Sequence, residues 1–169
     1  MNPIKVKTIL SLFDIHKYIF QDIYEWSGQA RTVEITKNGD QFSPVSEFKE
    51  RLTYINSLIN KYHKIYNMDV QLISQSLAEI LDEINWLHPF REGNGRTQRT
   101  FITFLAREKG YNLELNTVEN PLILEEYMKG TIQGSVQLLA NLIANCIKPI
   151  CQKHQEPNCT IPIGYSGKR

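Results

Sequence analysis

The sequence has no apolar run approaching the ~20 residues that a membrane-crossing helix needs. Its first residues (Met1-Asn2-Pro3-Ile4-Lys5) lack the basic stretch and long apolar core of a signal peptide. An excess of either charge is missing too, since 19 Lys+Arg against 18 Asp+Glu leave a net +1. Nucleic-acid and anionic-membrane binders normally carry a basic excess. The expectation is therefore a cytoplasmic protein with no direct nucleic-acid or membrane partner. Cysteine is scarce and confined to the C-terminal end, at Cys146, Cys151 and Cys159. An odd, clustered set does not read as a secreted disulfide framework. With His154 these thiols could ligate zinc, but their spacing matches no standard zinc pattern. The plainer reading is one buried helical thiol and two in a tail.

What is present is helical periodicity. Ile9, Leu12, Phe13, Ile15, Ile19, Phe20 and Ile23 step by three and four, which predicts a helix over residues 8–26 with Gly28 as its stop. Val33 and Ile35 alternate with polar residues, and Asn38-Gly39 suits a tight turn, so residues 32–43 read as a short hairpin or as a plain surface loop. Ser43-Pro44 reads as a cap and a first helical proline. The helix it opens runs through Phe48, Leu52, Ile55, Ile59 and Tyr62 to about Tyr66. Asn67 and Asp69 are cap candidates for a helix from Val70 to Leu87, which Pro89 should end at His88. A further helix begins near Gly95–Arg96 and stops at Lys109-Gly110. Asn120-Pro121 opens a short one to about Lys129, with Gly130 after it. A last helix carries Val136, Leu139, Ile143 and Ile147, and Pro149 should terminate it. Residues 151–169 show no period and read as a loosely held tail. No repeat or linker divides the rest, and 169 residues suffice for one domain with its own core. The expected fold is all-α, with one small hairpin.

Between the two central helices lies His88-Pro89-Phe90-Arg91-Glu92-Gly93-Asn94-Gly95-Arg96-Thr97-Gln98-Arg99. Gly93 and Gly95 permit close backbone approach to a ligand. Successive N–H groups of such a turn form an anion nest, to which the following helix adds its positive end. Arg96 and Arg99, three apart, should project to one side of that helix as phosphate clamps. Asn94 offers an amide donor. Glu92 is a lone carboxylate in a cationic site, which suits Mg²⁺ shared with substrate phosphates. His88 can accept a proton near neutral pH, and Phe90 should point inward and anchor the loop. Singly, each residue has a plainer reading: a capping histidine, a glycine turn, a solvated arginine face. Clustered, they point to Mg²⁺-dependent phosphoryl or nucleotidyl chemistry on a hydroxyl.

Residues 88–99 resemble the complete signature of Fic domains: His, any residue, Phe, any residue, Asp or Glu, Gly-Asn-Gly-Arg, two variable residues, Arg. The segment from Ile19 to Trp26, with Gly28, Arg31 and the hairpin through Phe42, is similar to the family's approach to its flap. The resemblance runs from about Asp14 to Pro149. It implies a Fic domain over residues 1–150 that moves AMP from ATP to a protein hydroxyl. His88 is then the base, Glu92 the Mg²⁺ ligand, and Gly93, Asn94 and Gly95 the anion hole. Arg96 and Arg99 hold the β- and γ-phosphates. The flap (Lys37, Asn38, Gly39, Asp40, Gln41, Phe42) aligns the target by strand addition, with Phe42 as a clamp. Gly95 favours adenylyl transfer, because the phosphorylating Doc relatives carry lysine there; family members that move UMP or phosphocholine keep other groups open.

Fic proteins are commonly restrained by a helix of pattern Ser/Thr-x-x-x-Glu-Gly/Asn. Here Ser43…Glu47 and Ser46…Glu50 have the spacing, but Phe48 and Arg51 follow the glutamates. The resemblance thus implies the subclass restrained by a separate small antitoxin, whose recurrent targets are gyrase and topoisomerase IV. A chain truncated before the match, and a nucleotide-binding interaction protein without significant transfer, stay open as alternatives.

Overall fold

The computed structural model describes residues 5–37, 39–66, 69–115 and 117–150. Asn38 of the expected turn, the cap candidate Asn67, and the tail with Cys151, His154 and Cys159 lie outside the described residues. In chain order the elements are α1 (Leu10–Phe20), β1 (Thr36–Lys37), β2 (Asp40–Gln41), α2 (Phe48–His63), α3 (Val70–Leu87), α4 (Asn94–Glu108), β3 (Tyr111–Leu113), α5 (Pro121–Gln133), α6 (Val136–Cys146) and β4 (Ile147–Pro149).

α3 is the central post. Its residues Ile73, Leu77, Ile80, Leu81, Ile84 and Leu87 are all fully buried. They form one wide apolar face, which packs against α2, α4 and α6. The Asp69 carboxylate caps its start by accepting from the Gln71 N–H at 2.8 Å. At its end His88 turns left-handed, with φ 42° and ψ 61°, and its N–H still donates to the Ile84 carbonyl. Pro89 bars the α-helical conformation at His88, so the helix stops where the sequence says it should. α4 then runs back along α3 and against α1, burying Phe101, Ile102, Leu105 and Ala106.

Several boundaries differ from the sequence expectation. α1 ends at Phe20 rather than near Trp26, because turns closed on the Phe20 carbonyl by Ile23 and Tyr24 redirect the chain. Ile23, counted in the apolar period, is 64% exposed. Ser43 caps nothing: its hydroxyl is buried without a partner. A 3₁₀ turn (Val45–Glu47) intervenes before α2 begins at Phe48. α5 is capped at Asn120 as expected but continues through Gly130, which lies against Leu139 of α6. Gly134, in the left-handed region, is its actual stop. The last helix ends at Cys146 instead of at Pro149. Ile147, Lys148 and Pro149 form β4, antiparallel to Leu113, Asn112 and Tyr111 of β3. This second small sheet was not anticipated. The expected hairpin is real: Thr36 pairs with Gln41 and Lys37 with Asp40, with Gly39 at φ 93° in the turn. Val33 and Ile35, however, precede the paired residues.

Candidate active site

The loop from α3 to α4 is held from the protein side at almost every polar backbone group. Phe90 is fully buried, stacked on His16 at 3.8 Å and meeting Phe13 edge-on at 5.2 Å. Asn94, also buried, clasps the Phe90 backbone from both sides. Its Oδ1 accepts from the Phe90 N–H at 3.0 Å and its Nδ2 donates to the Phe90 carbonyl at 2.7 Å. The side chain expected to offer a donor to phosphate therefore closes the loop on itself.

The end expected to bind an anion is backbone. Gly93 is the N-cap of α4 at φ 80°, and no side chain caps this helix, whereas Asp69, Asn120 and Ser135 cap α3, α5 and α6. Uncapped first-turn N–H groups and the helix dipole favour an anion there. Gly93 is required twice over: its φ is one L side chains avoid, and a Cβ would lie 2.4 Å from Cε2 of Phe20. Gly95 is different. It is helical, and a Cβ there would meet only Nη1 of Arg99, at 3.2 Å. Of the two glycines, Gly93 alone has a positive φ.

The charged groups surround this end. Glu92 is exposed, and its Oε1 accepts from the Gly93 N–H at 3.0 Å. The Arg96 guanidinium lies 5.2 Å above the Phe20 ring, and that of Arg99 lies 5.1 Å above Tyr127 of α5. The two guanidiniums thus rest on rings of different helices, Arg96 on α1 and Arg99 on α5. Burial raises the Tyr127 phenol pKa, Arg99 opposing, and its hydroxyl bonds Oε1 of Gln98 at 3.1 Å.

His88 stands at the other end of the loop. Its Nδ1 lies 3.2 Å from the Asn85 carbonyl. A carbonyl only accepts, so Nδ1 carries the proton and Nε2 is the basic nitrogen. The Phe42 ring, just past β2, stacks on the imidazole at 3.7 Å. The hairpin thus lies directly over the histidine.

Two buried residues with no role assigned from sequence complete the arrangement. His16 accepts the Gly28 N–H on Nδ1 at 2.9 Å, so Nε2 is protonated and donates to the Glu92 carbonyl at 3.0 Å. Arg31 is 1% exposed. Its Nε donates to the His88 carbonyl at 2.9 Å, and its backbone N–H to the Pro89 carbonyl at 2.7 Å. The signal available for Arg31 was its place in the segment that resembles the approach to the flap; no pattern singled out His16.

Residues 8–106, more than half of the chain, match the Fic/DOC family. The chain belongs to that family. It is 36% identical over 132 residues to the protein adenylyltransferase VbhT of Bartonella schoenbuchensis, which covers 76% of this chain and 27% of that protein. It is 34% identical over 135 residues to the probable protein adenylyltransferase y4lH of Sinorhizobium fredii, covering 79% and 69% respectively. The fold is similar to that of the BepC effector of Bartonella tribocorum, solved with AMPPNP, with a TM-score of 0.73 at 20% identity over 88% of this chain and 78% of that one. The chain spans little more than a quarter of VbhT. No helix among the described residues is long and apolar enough to cross a membrane.

Proposed function

We propose that this Fic/DOC domain is a protein adenylyltransferase, moving AMP from ATP to a hydroxyl side chain of a target protein. The observation that carries the reading is His88, with Nδ1 committed to Asn85 and Nε2 left as the basic nitrogen, one loop away from the uncapped start of α4. The target hydroxyl oxygen attacks the α-phosphorus and its proton passes to Nε2. The bond from that phosphorus to the bridging oxygen breaks, and pyrophosphate leaves. First-turn N–H groups of α4 receive the phosphate charge, and Arg96 and Arg99 hold the outer phosphates. The relatives named as adenylyltransferases support the same choice.

Mg²⁺ fits the residues present. Glu92 is an exposed lone carboxylate beside a phosphate-binding helix end, and magnesium is commonly held by one or two carboxylates plus phosphates. When bound, it supplies charge neutralisation between phosphate oxygens. The target pairs as an added strand with the hairpin, whose edge lies over His88 through Phe42.

The finer reading is a toxin restrained by a separate small antitoxin and acting on gyrase or topoisomerase IV. Its support is sequence: neither Ser-x-x-x-Glu stretch continues into the inhibitory pattern. Both lie where α2 starts, with Glu47 paired to Arg51 at 3.6 Å.

The test is labelling of bacterial lysate by the protein with Mg²⁺ and ATP labelled at the α- or the γ-phosphate, beside His88→Ala. Label from α- but not γ-labelled ATP, lost in His88→Ala, is the expected result. Label from γ-labelled ATP means phosphoryl transfer, and absence of His88-dependent label means a binding module. Harmless expression of the chain alone refutes the toxin reading.

A further inference from the structure

The Arg31 guanidinium has five N–H donors, and five hydrogen bonds use them. Nε donates to the His88 carbonyl at 2.9 Å and Nη2 to the Leu87 carbonyl at 3.4 Å, both at the C-terminal end of α3. Nη1 donates to the Val33 carbonyl at 2.8 Å and to Oε2 of Glu34 at 3.3 Å, on the leg leading into the hairpin. Nη2 also donates to the Ser43 carbonyl at 2.5 Å, on the leg leaving it. The Phe48 ring lies 4.8 Å from the guanidinium carbon and closes that side. One rigid planar group therefore joins both legs of the hairpin to the end of the helix that presents the base. Such planarity fixes directions as well as distances. None of these bonds reaches residues 92–99, where the phosphates are expected.

We propose that Arg31 is a positioning residue that sets the target-docking hairpin against His88, separately from nucleotide binding. This rests on the adenylyl-transfer reading above. Three further contacts tie the same elements: the Arg31 backbone N–H donates to the Pro89 carbonyl at 2.7 Å and the Ser43 N–H to the Trp86 carbonyl at 3.0 Å, and Phe42 stacks on His88. With Arg31 intact, a segment paired along the hairpin meets Nε2 at a fixed offset. Without its guanidinium, the hairpin and the helix end still exist and keep these three contacts, but lose the planar group that joins both legs to the helix end. A misplacement of about 1 Å between reacting groups can cost about 100-fold in rate.

The experiment compares wild type, Arg31→Lys, Glu34→Gln and His88→Ala. Lysine keeps the buried charge with three donors and no plane; the Glu34 change alters the exposed outer partner, whose Oε1 also accepts the Val45 N–H at 3.0 Å, and guards against a variant that fails to fold. Three quantities are read: the initial rate of His88-dependent α-label transfer in lysate, the affinity for Mg-ATP by calorimetry, and amide hydrogen exchange at Phe42 and Ser43. The expected result is a transfer rate lowered roughly 10- to 100-fold in Arg31→Lys. Mg-ATP affinity should stay within about 2-fold and exchange at the two amides should be faster, with a smaller effect in the same direction for Glu34→Gln. Affinity falling in step with transfer, or transfer unchanged while Arg31→Lys folds, overturns the proposal. Should wild type itself transfer nothing, the functional reading fails. Exchange then decides alone: unchanged protection of Phe42 and Ser43 in both variants overturns the positioning role.

Discussion

Gly93→Ala isolates the wall against which the phosphate loop is built. Gly93 has φ 80° and Gly110 has φ 78°, so an alanine costs the same backbone strain at either, about 1–2 kcal/mol for an L residue in the left-handed region. Their surroundings differ completely. A Cβ on Gly110 meets nothing within 4 Å, whereas one on Gly93 lies 2.4 and 2.5 Å from Cε2 and Cζ of Phe20. Phe20 is 4% exposed. It lies between the His16 ring at 4.7 Å and the Tyr24 ring at 5.7 Å, with Arg96 above it, so it cannot simply swing away. Overpacking of this kind adds about 1–3 kcal/mol. The expected losses are about 1–2 kcal/mol for Gly110→Ala and about 2–5 kcal/mol for Gly93→Ala. Both fall within the usual stability of a domain, ~5–15 kcal/mol, so both variants should fold. Urea unfolding measures each, and Phe20→Leu in a double-mutant cycle should recover part of the excess at position 93 and none at 110. Mg-ATP affinity should fall for Gly93→Ala and hold for Gly110→Ala. Equal destabilisation by the two alanines would refute the claim that Phe20 is the wall.

Tyr127→Phe keeps the ring under Arg99 and removes the hydroxyl's bonds to Gln98 and Arg99, so stability should drop by about 1–3 kcal/mol with a small loss of ATP affinity; Tyr127→Leu, which removes the ring too, should weaken ATP further, read by calorimetry. His16 is held below the ordinary histidine range by burial, against the opposing pull of its bond to the Glu92 carbonyl. The unfolded chain takes up that proton near pH ~6.5 while the folded one resists. Stability should therefore fall as pH drops below about 6.5 and level off below the folded pKa. Urea midpoints at two pH values should differ less in His16→Asn than in wild type. Glu92→Gln should abolish the Mg²⁺ dependence of ATP binding while leaving the unfolding midpoint near that of wild type, since Glu92 is exposed.

The parts of this fold legible in the sequence are those governed by neighbours along the chain. The apolar period of α3, its Asp69 cap and its end before Pro89 involve residues within a few positions of one another, and all were readable. The turn at Gly39 was readable for the same reason. What escaped was decided at long range. β3 and β4 pair residues 111–113 with 147–149, too short a run for an alternating pattern to register. α1 gives way after Phe20 to turns in which Tyr24 and Trp26 stack at 4.4 Å and Trp26 faces His16 at 5.8 Å. Gly130 looked like a stop because glycine usually is one, while its purpose here is to let α6 approach through Leu139.

The motif itself was legible as a set of residue types, but its inward half was not, and that half explains its order. Three carbonyls of the loop are tied to buried donors: His88 to Nε of Arg31, Pro89 to the Arg31 N–H, and Glu92 to Nε2 of His16. Asn94 holds both polar backbone groups of Phe90. Anchoring the carbonyls inward aims the other face of the loop, with the start of α4, outward. No side chain caps α4, so its first-turn N–H donors are not taken up by a side-chain acceptor. The asparagine between two glycines is thus explained as the clasp that shapes the site. On the proposed reading, the backbone N–H donors at the start of α4 are what would receive an anion.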